Sequence, residues 1–154
     1  MPGEKIQLQQ QYKPRLRRGQ VESVNELIIE AKIENMDAVL AFVNGKTEGC
    51  PIKIRNQIRI AVDEIFSNIA RYAYHPEIGG AVVRIAISDD VIIEFEDSGA
   101  AFDPLTKEDP DVTLTADERE VGGLGLFIVK NLMDSVEYRR DGNKNILTIK
   151  KKLG

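Results

Sequence analysis

Five aliphatic side chains, Ile54, Ile58, Val62, Ile65 and Ile69, recur at helical spacing along the middle of the chain. An α-helix over this stretch presents them on one face, and such a face needs a second layer to bury it. The flanking text has a different period. Ala81–Ser88 (AVVRIAIS) and Val91–Glu96 (VIIEFE) are β-branched runs around Asp89-Asp90, the pattern of a β-hairpin. Glu26–Lys32 (ELIIEAK) reads as an earlier strand. Ser135–Arg140 and Ile146–Lys152 read as two later strands joined by Asp141-Gly142-Asn143, a tight-turn sequence. Strands in runs with few helices between them predict an α+β fold: a two-layer α/β sandwich with helices on one face of a mixed, mostly antiparallel sheet.

Two further helices complete the helical layer. Asn35 or Asp37 can cap the first, which carries Ala38, Val39, Leu40, Phe42 and Val43 and ends at Gly45 and Gly49. Pro51 suits the first turn of the central helix, which stops near Tyr74 because the residue before Pro76 is pushed out of helical geometry. Gly79-Gly80 turns the chain into the hairpin. Gly122-Gly123-Leu124-Gly125 opens the last helix, with Leu126, Ile128, Val129, Leu132 and Met133 as its apolar positions. Between hairpin and last helix, Asp103–Glu120 is charged and aperiodic, the character of a lid or binding loop. Met1–Gly19 is polar and Gln-rich, with Pro2 and Pro14, and reads as a flexible arm ahead of one domain over 20–154.

Composition narrows the class. At 154 residues, with 42% hydrophobic and 30% charged residues, the chain can bury a real core. A net charge of -4 argues against general affinity for nucleic acid or anionic membrane. The basic tract Lys13, Arg15, Arg17 and Arg18 reads as a solvated tail. Cys50 is the sole cysteine, which excludes an internal disulfide or a cysteine-based metal site and suits a reducing cytoplasm. No signal-peptide core and no apolar run of ~20 residues is present, so a soluble cytoplasmic protein is expected.

Three stretches can carry chemistry. Glu64 and Asn68, four apart, are neighbours on the flank of the apolar helical face. Alone they are two incidental polar residues of a solvated face. Asp97 and Gly99 follow a strand directly; an ionised carboxylate there can accept from a purine amine, though a strand-ending Asp-x-Gly is most often a turn. Gly122-Gly123-Leu124-Gly125 starts a helix, where free N–H groups and the helix dipole suit phosphate oxygens. The stretch is not a P-loop, because Gly-x-x-x-x-Gly-Lys-Ser/Thr is absent.

In this order the three stretches resemble the N box and the two glycine boxes of the GHKL ATPase superfamily, over roughly Glu26–Leu153. The text VDEIFSNIARYAY, EDSGAAFDP and GGLGLFIVKNLMD is most similar to bacterial anti-sigma factor serine/threonine kinases. The resemblance implies ATP and Mg²⁺ as ligands. It makes Asn68 the Mg²⁺ contact, Glu64 the general base and Asp97 the reader of the adenine amine, with Gly99 letting the base approach. Gly122, Gly123, Leu124 and Gly125 would face the phosphates, Arg71 and Phe102 would join the nucleotide contacts, and Asp103–Val121 would be the lid. In the kinase branch a lid arginine commonly precedes the glycines; here Val121 stands there, and Arg119 is the candidate phosphate contact ahead of Lys130. Ala100-Ala101 replaces a further glycine. His75, Tyr72 and Tyr74 read as surface or packing residues.

The implied activity is an ATP-dependent serine/threonine protein kinase that binds a sigma factor and phosphorylates an anti-sigma antagonist, in a family whose members imply a dimer. The alternative is a non-catalytic ATP-binding module that grips a partner. A sensor histidine kinase needs an upstream phosphoacceptor, and no histidine precedes His75. Transducer-type machines of the superfamily need large additional domains.

Overall fold

The computed structural model describes residues 7–9, 23–106 and 123–154. Its sheet comprises β1 (Gln7–Gln9), β2 (Asn25–Glu30), β3 (Gly80–Ile87), β4 (Asp90–Asp97), β5 (Ser135–Asp141) and β6 (Lys144–Lys152), in the order β1-β2-β3-β4-β6-β5. Every described pairing is antiparallel, where the sequence allowed a mixed sheet. Helices α1 (Met36–Lys46), α2 (Ile52–Asn68) and α3 (Gly123–Leu132) supply the second layer.

Alternation sorts the side chains. Leu27 and Ile29, Ala81, Val83 and Ile85, and Val91, Ile93 and Phe95 are all buried in the core with Ile149. From the helices come Val39 and Val43, then Ile58, Val62, Ile65 and Phe66, then Val129. The expected stripe of α2 therefore faces the sheet, with Ile54 and Ile69 packed at its two ends. Ile128 departs from its expected place: it is 39% exposed, on the solvent side of α3.

Several local expectations resolve differently. Gln7–Gln9 lies in the segment read as a flexible arm, yet its backbone pairs with Leu27 and its neighbours as an edge strand; most of that arm lies outside the described residues. Asn35 precedes α1 but makes no cap bond; its Nδ2 donates to the Glu30 carbonyl at 2.9 Å, tying the end of β2 to the helix start. α1 runs through Gly45 to Lys46 and ends at Thr47, whose Oγ1 donates to the Val43 carbonyl at 3.0 Å. After Asn68, α2 passes into a π-helical turn, Ile69–Ala73, and Tyr74 ends the helix as expected.

Candidate functional site

The core-facing positions of β4 are Val91, Ile93 and Phe95, and Asp97 is next in phase. A period of two puts its carboxylate on the helix side at the end of the strand, and sends Glu96 to the opposite face. Asp97 is 7% exposed. Its Oδ1 accepts from the Gly99 N–H and from Asn145 Nδ2, each at 2.9 Å. Its Oδ2 has no hydrogen-bond partner among the described residues. One oxygen holds the turn, and the other points out of that network.

Gly99 has a steric cause within the fold itself. A Cβ there would collide with the carbonyl oxygen of Ala73 and stand 2.7 Å from its carbonyl carbon. The missing side chain makes room for the π turn of α2, so this helix end and the Asp97 turn pack backbone to backbone. Tyr74 adds a clamp: its hydroxyl donates to the Gly80 carbonyl at 2.5 Å and accepts from the Ser98 N–H at 2.7 Å. Burial raises the Tyr74 pKa above its ordinary value, with the Asp97 and Glu96 carboxylates adding to the rise and the Ser98 bond opposing it. The hydroxyl therefore stays protonated at neutral pH and keeps its donor role.

At the other end of the same flank, α2 meets α3. A Cβ at Gly125 would overlap the Glu64 carboxylate, so this glycine exists where Glu64 lies across the first turn of α3. A carboxylate at a helix N-terminus faces the positive end of the dipole. Asn68 follows Glu64 by one turn and is half-buried. Neither Glu64 nor Asn68 has a side-chain hydrogen-bond partner among the described residues. From Glu64 to Asn68 the α-helix rises about 6 Å at 1.5 Å per residue, and the π turn then carries the chain on to Ala73 beside the Asp97 turn.

The remaining expected residues divide. Gly123 and Leu124 open α3. Phe102 is 58% exposed, and its N–H donates to Asn145 Oδ1 at 3.4 Å. Arg71 is exposed within the π turn. Arg119, Gly122 and the lid beyond Thr106 lie outside the described residues. Sequence reasoning missed Asn145, and with it Tyr138 and Arg140. Its signal was a polar residue in the inward phase of β6, ahead of Leu147 and Ile149. A depression lined by Ser88, Asp89, Asp90, Lys152, Leu153 and Gly154 sits at the opposite end of β4 and holds none of these groups.

This arrangement brings a turn-held carboxylate, a helix start and a second carboxylate onto one side of a sheet. Residues 29–151 match the family model of the histidine kinase-like ATPase domain. The chain belongs to that family. Among relatives, the serine-protein kinase RsbW of Bacillus cereus strain AH187 is 28% identical over 133 residues, covering 81% of this chain and 82% of that protein. The serine/threonine-protein kinase BtrW of Bordetella bronchiseptica is 27% identical over 100 residues, 63% of this chain and 70% of its own length. A serine-protein kinase RsbW of Listeria monocytogenes is 31% identical over 99 residues. The match spans 63% of that Listeria protein, less than two thirds of it. No described helix of this histidine kinase-like ATPase domain is long and apolar enough to cross a membrane.

Proposed function

We propose that the protein is an ATP-dependent serine/threonine protein kinase acting as an anti-sigma regulatory factor, which binds a sigma factor and phosphorylates an anti-sigma antagonist. The observation that carries the catalytic part is the contact between Glu64 and Gly125. It puts a half-buried carboxylate, without a side-chain hydrogen-bond partner among the described residues, against a helix N-terminus suited to phosphate. Asp97, with Oδ2 open on the same face, takes the adenine amine. The names of the relatives supply the acceptor class.

Among the described residues no group of three or more His, Cys, Asp or Glu could cage a metal. That fits Mg²⁺, a hard cation that keeps waters and takes substrate phosphates plus few protein ligands. Asn68 would hold it through its carboxamide oxygen, and bound Mg²⁺ would offset charge on the phosphate oxygens. The amides at the start of α3 orient the terminal phosphate of the substrate ATP. Glu64 accepts the proton of the attacking serine or threonine hydroxyl. As that oxygen bonds to the terminal phosphorus, the bond to the bridging oxygen breaks and ADP leaves with its electron pair.

Incubation with radiolabelled ATP, Mg²⁺ and candidate antagonist proteins tests this reading. Labelled serine or threonine is expected, falling about 10²–10⁴-fold in Glu64→Gln while ATP binding is kept. Binding without transfer to any acceptor would instead support a non-catalytic module.

A further inference from the structure

The Asp97 carboxylate is oriented by a residue from another strand, and that residue has chemistry on both sides. Asn145 lies opposite Asp97 in the β4–β6 register and is 8% exposed. Its Nδ2 donates to Asp97 Oδ1 at 2.9 Å and to the Ala100 carbonyl at 2.9 Å. Its Oδ1 accepts from the Tyr138 hydroxyl at 2.6 Å and from Arg140 Nη1 at 3.1 Å. Arg140 Nη1 also donates to the Gly99 carbonyl at 3.0 Å.

These partners fix the amide without ambiguity. A guanidinium can only donate, and an ionised carboxylate and a carbonyl can only accept. The carboxamide therefore cannot flip without facing donor to donor and acceptor to acceptor. Among side chains of this size, a carboxamide alone donates on one side and accepts on the other: an aspartate would face Asp97 with a second negative charge, and a leucine would leave Asp97 Oδ1 with one donor fewer. Because Oδ1 is fully engaged, the Asp97 carboxylate cannot rotate without losing both of its bonds, and Oδ2 keeps one direction.

We propose that Asn145, locked by Tyr138 and Arg140, is a positioning residue that sets purine selectivity. It holds Asp97 so that the Oδ2 acceptor meets the base in one fixed direction, favouring a 6-amino over a 6-oxo purine nucleotide. This rests on the nucleotide reading of the Asp97 turn. A role in folding alone would weaken the two nucleotides equally; a positioning role changes their ratio.

The test is the dissociation constant of ATP and of ITP, measured by calorimetry with Mg²⁺ on the full chain, for wild type, Asn145→Leu and Tyr138→Phe. Tyr138→Phe deletes one hydroxyl and keeps the ring, so it remains informative if Asn145→Leu does not fold. The wild type is expected to prefer ATP, and the ATP/ITP preference to fall by about tenfold or more in Asn145→Leu, a hydrogen bond to a charged group being worth that much. Tyr138→Phe is expected to lower it severalfold. A wild type that prefers ATP, with an unchanged ratio in every folded variant, overturns the role of Asn145 and leaves the nucleotide reading intact. A wild type that binds neither nucleotide overturns the nucleotide reading and this inference with it.

Discussion

Gly125 and Gly99 are both glycines for lack of space, and their obstacles differ in kind. At Gly125 the obstacle is the end of a flexible side chain, the Glu64 carboxylate. Gly125→Ala can be accommodated by moving that carboxylate, and alanine in a helix gains up to about 1 kcal/mol over glycine. The expected outcome is unchanged or higher stability in urea with phosphotransfer reduced about 100-fold, the cost of a small misplacement of a reacting group. At Gly99 the obstacle is the backbone of Ala73, which no rotamer can relieve. Gly99→Ala is expected to destabilise by about 1–3 kcal/mol, read as a lower urea midpoint. If the two variants behaved alike, the distinction between carboxylate and backbone contacts would be wrong.

Strand β4 shows at the level of an element how one alternation builds two chemistries. Its inward phase ends in Asp97; its outward phase carries Glu94 and Glu96 beside Arg84 of β3 and Glu26 of β2. Arg84 Nε donates to Glu26 Oε2 at 2.7 Å and Nη2 to Glu96 Oε1 at 2.8 Å, with Lys144 Nζ 3.1 Å from Glu96 Oε2. Burial alone would raise the Glu96 pKa, but the Arg84 hydrogen bond and charge, with Lys144, outweigh it and hold the carboxyl below its ordinary value. A depressed folded pKa stabilises fully above the ordinary glutamate range of about 4.3, and that stabilisation is lost as pH falls through the folded value. Removing the cation in Arg84→Met is expected to cost about 3–5 kcal/mol at pH 7, because buried carboxylates lose their partner. The deficit should shrink as pH drops below 4, as followed by urea unfolding across pH. A deficit independent of pH would show that the cluster contributes packing rather than charge.

The same element marks what was legible in the residues. Alternation placed β2 to β6, and helical spacing placed the buried face of α2, because both periods are local. The partner of Asp97 was not legible. Asn145 stands 48 positions away, and the register that joins them is set by strand pairing rather than by neighbouring text. The edge strand Gln7–Gln9 is three residues long with Leu8 as its one apolar side chain, too short a stretch for alternation to announce it. Asn35 matched the chemistry of a helix cap, yet its Nδ2 donates to the Glu30 carbonyl and its side chain makes no cap bond.

In the molecule as a whole, α2 braces the site. Its middle meets α3 through Glu64 and Gly125, its end meets the Asp97 turn through Ala73, Tyr74 and Gly99, and its apolar face sits on the sheet. Asp97→Asn interrogates this arrangement with little disturbance. The remaining side-chain oxygen can still accept from Gly99 and Asn145, while the open oxygen becomes an amide that donates. Calorimetry of Mg-ATP binding to wild type and Asp97→Asn, at matched folding stability, is therefore the most direct measurement. The account predicts micromolar-range or tighter binding to wild type, on the order of the usual substrate affinities, and weakening by about ten- to a hundredfold in the variant. Equal affinity of the two proteins for ATP would contradict it.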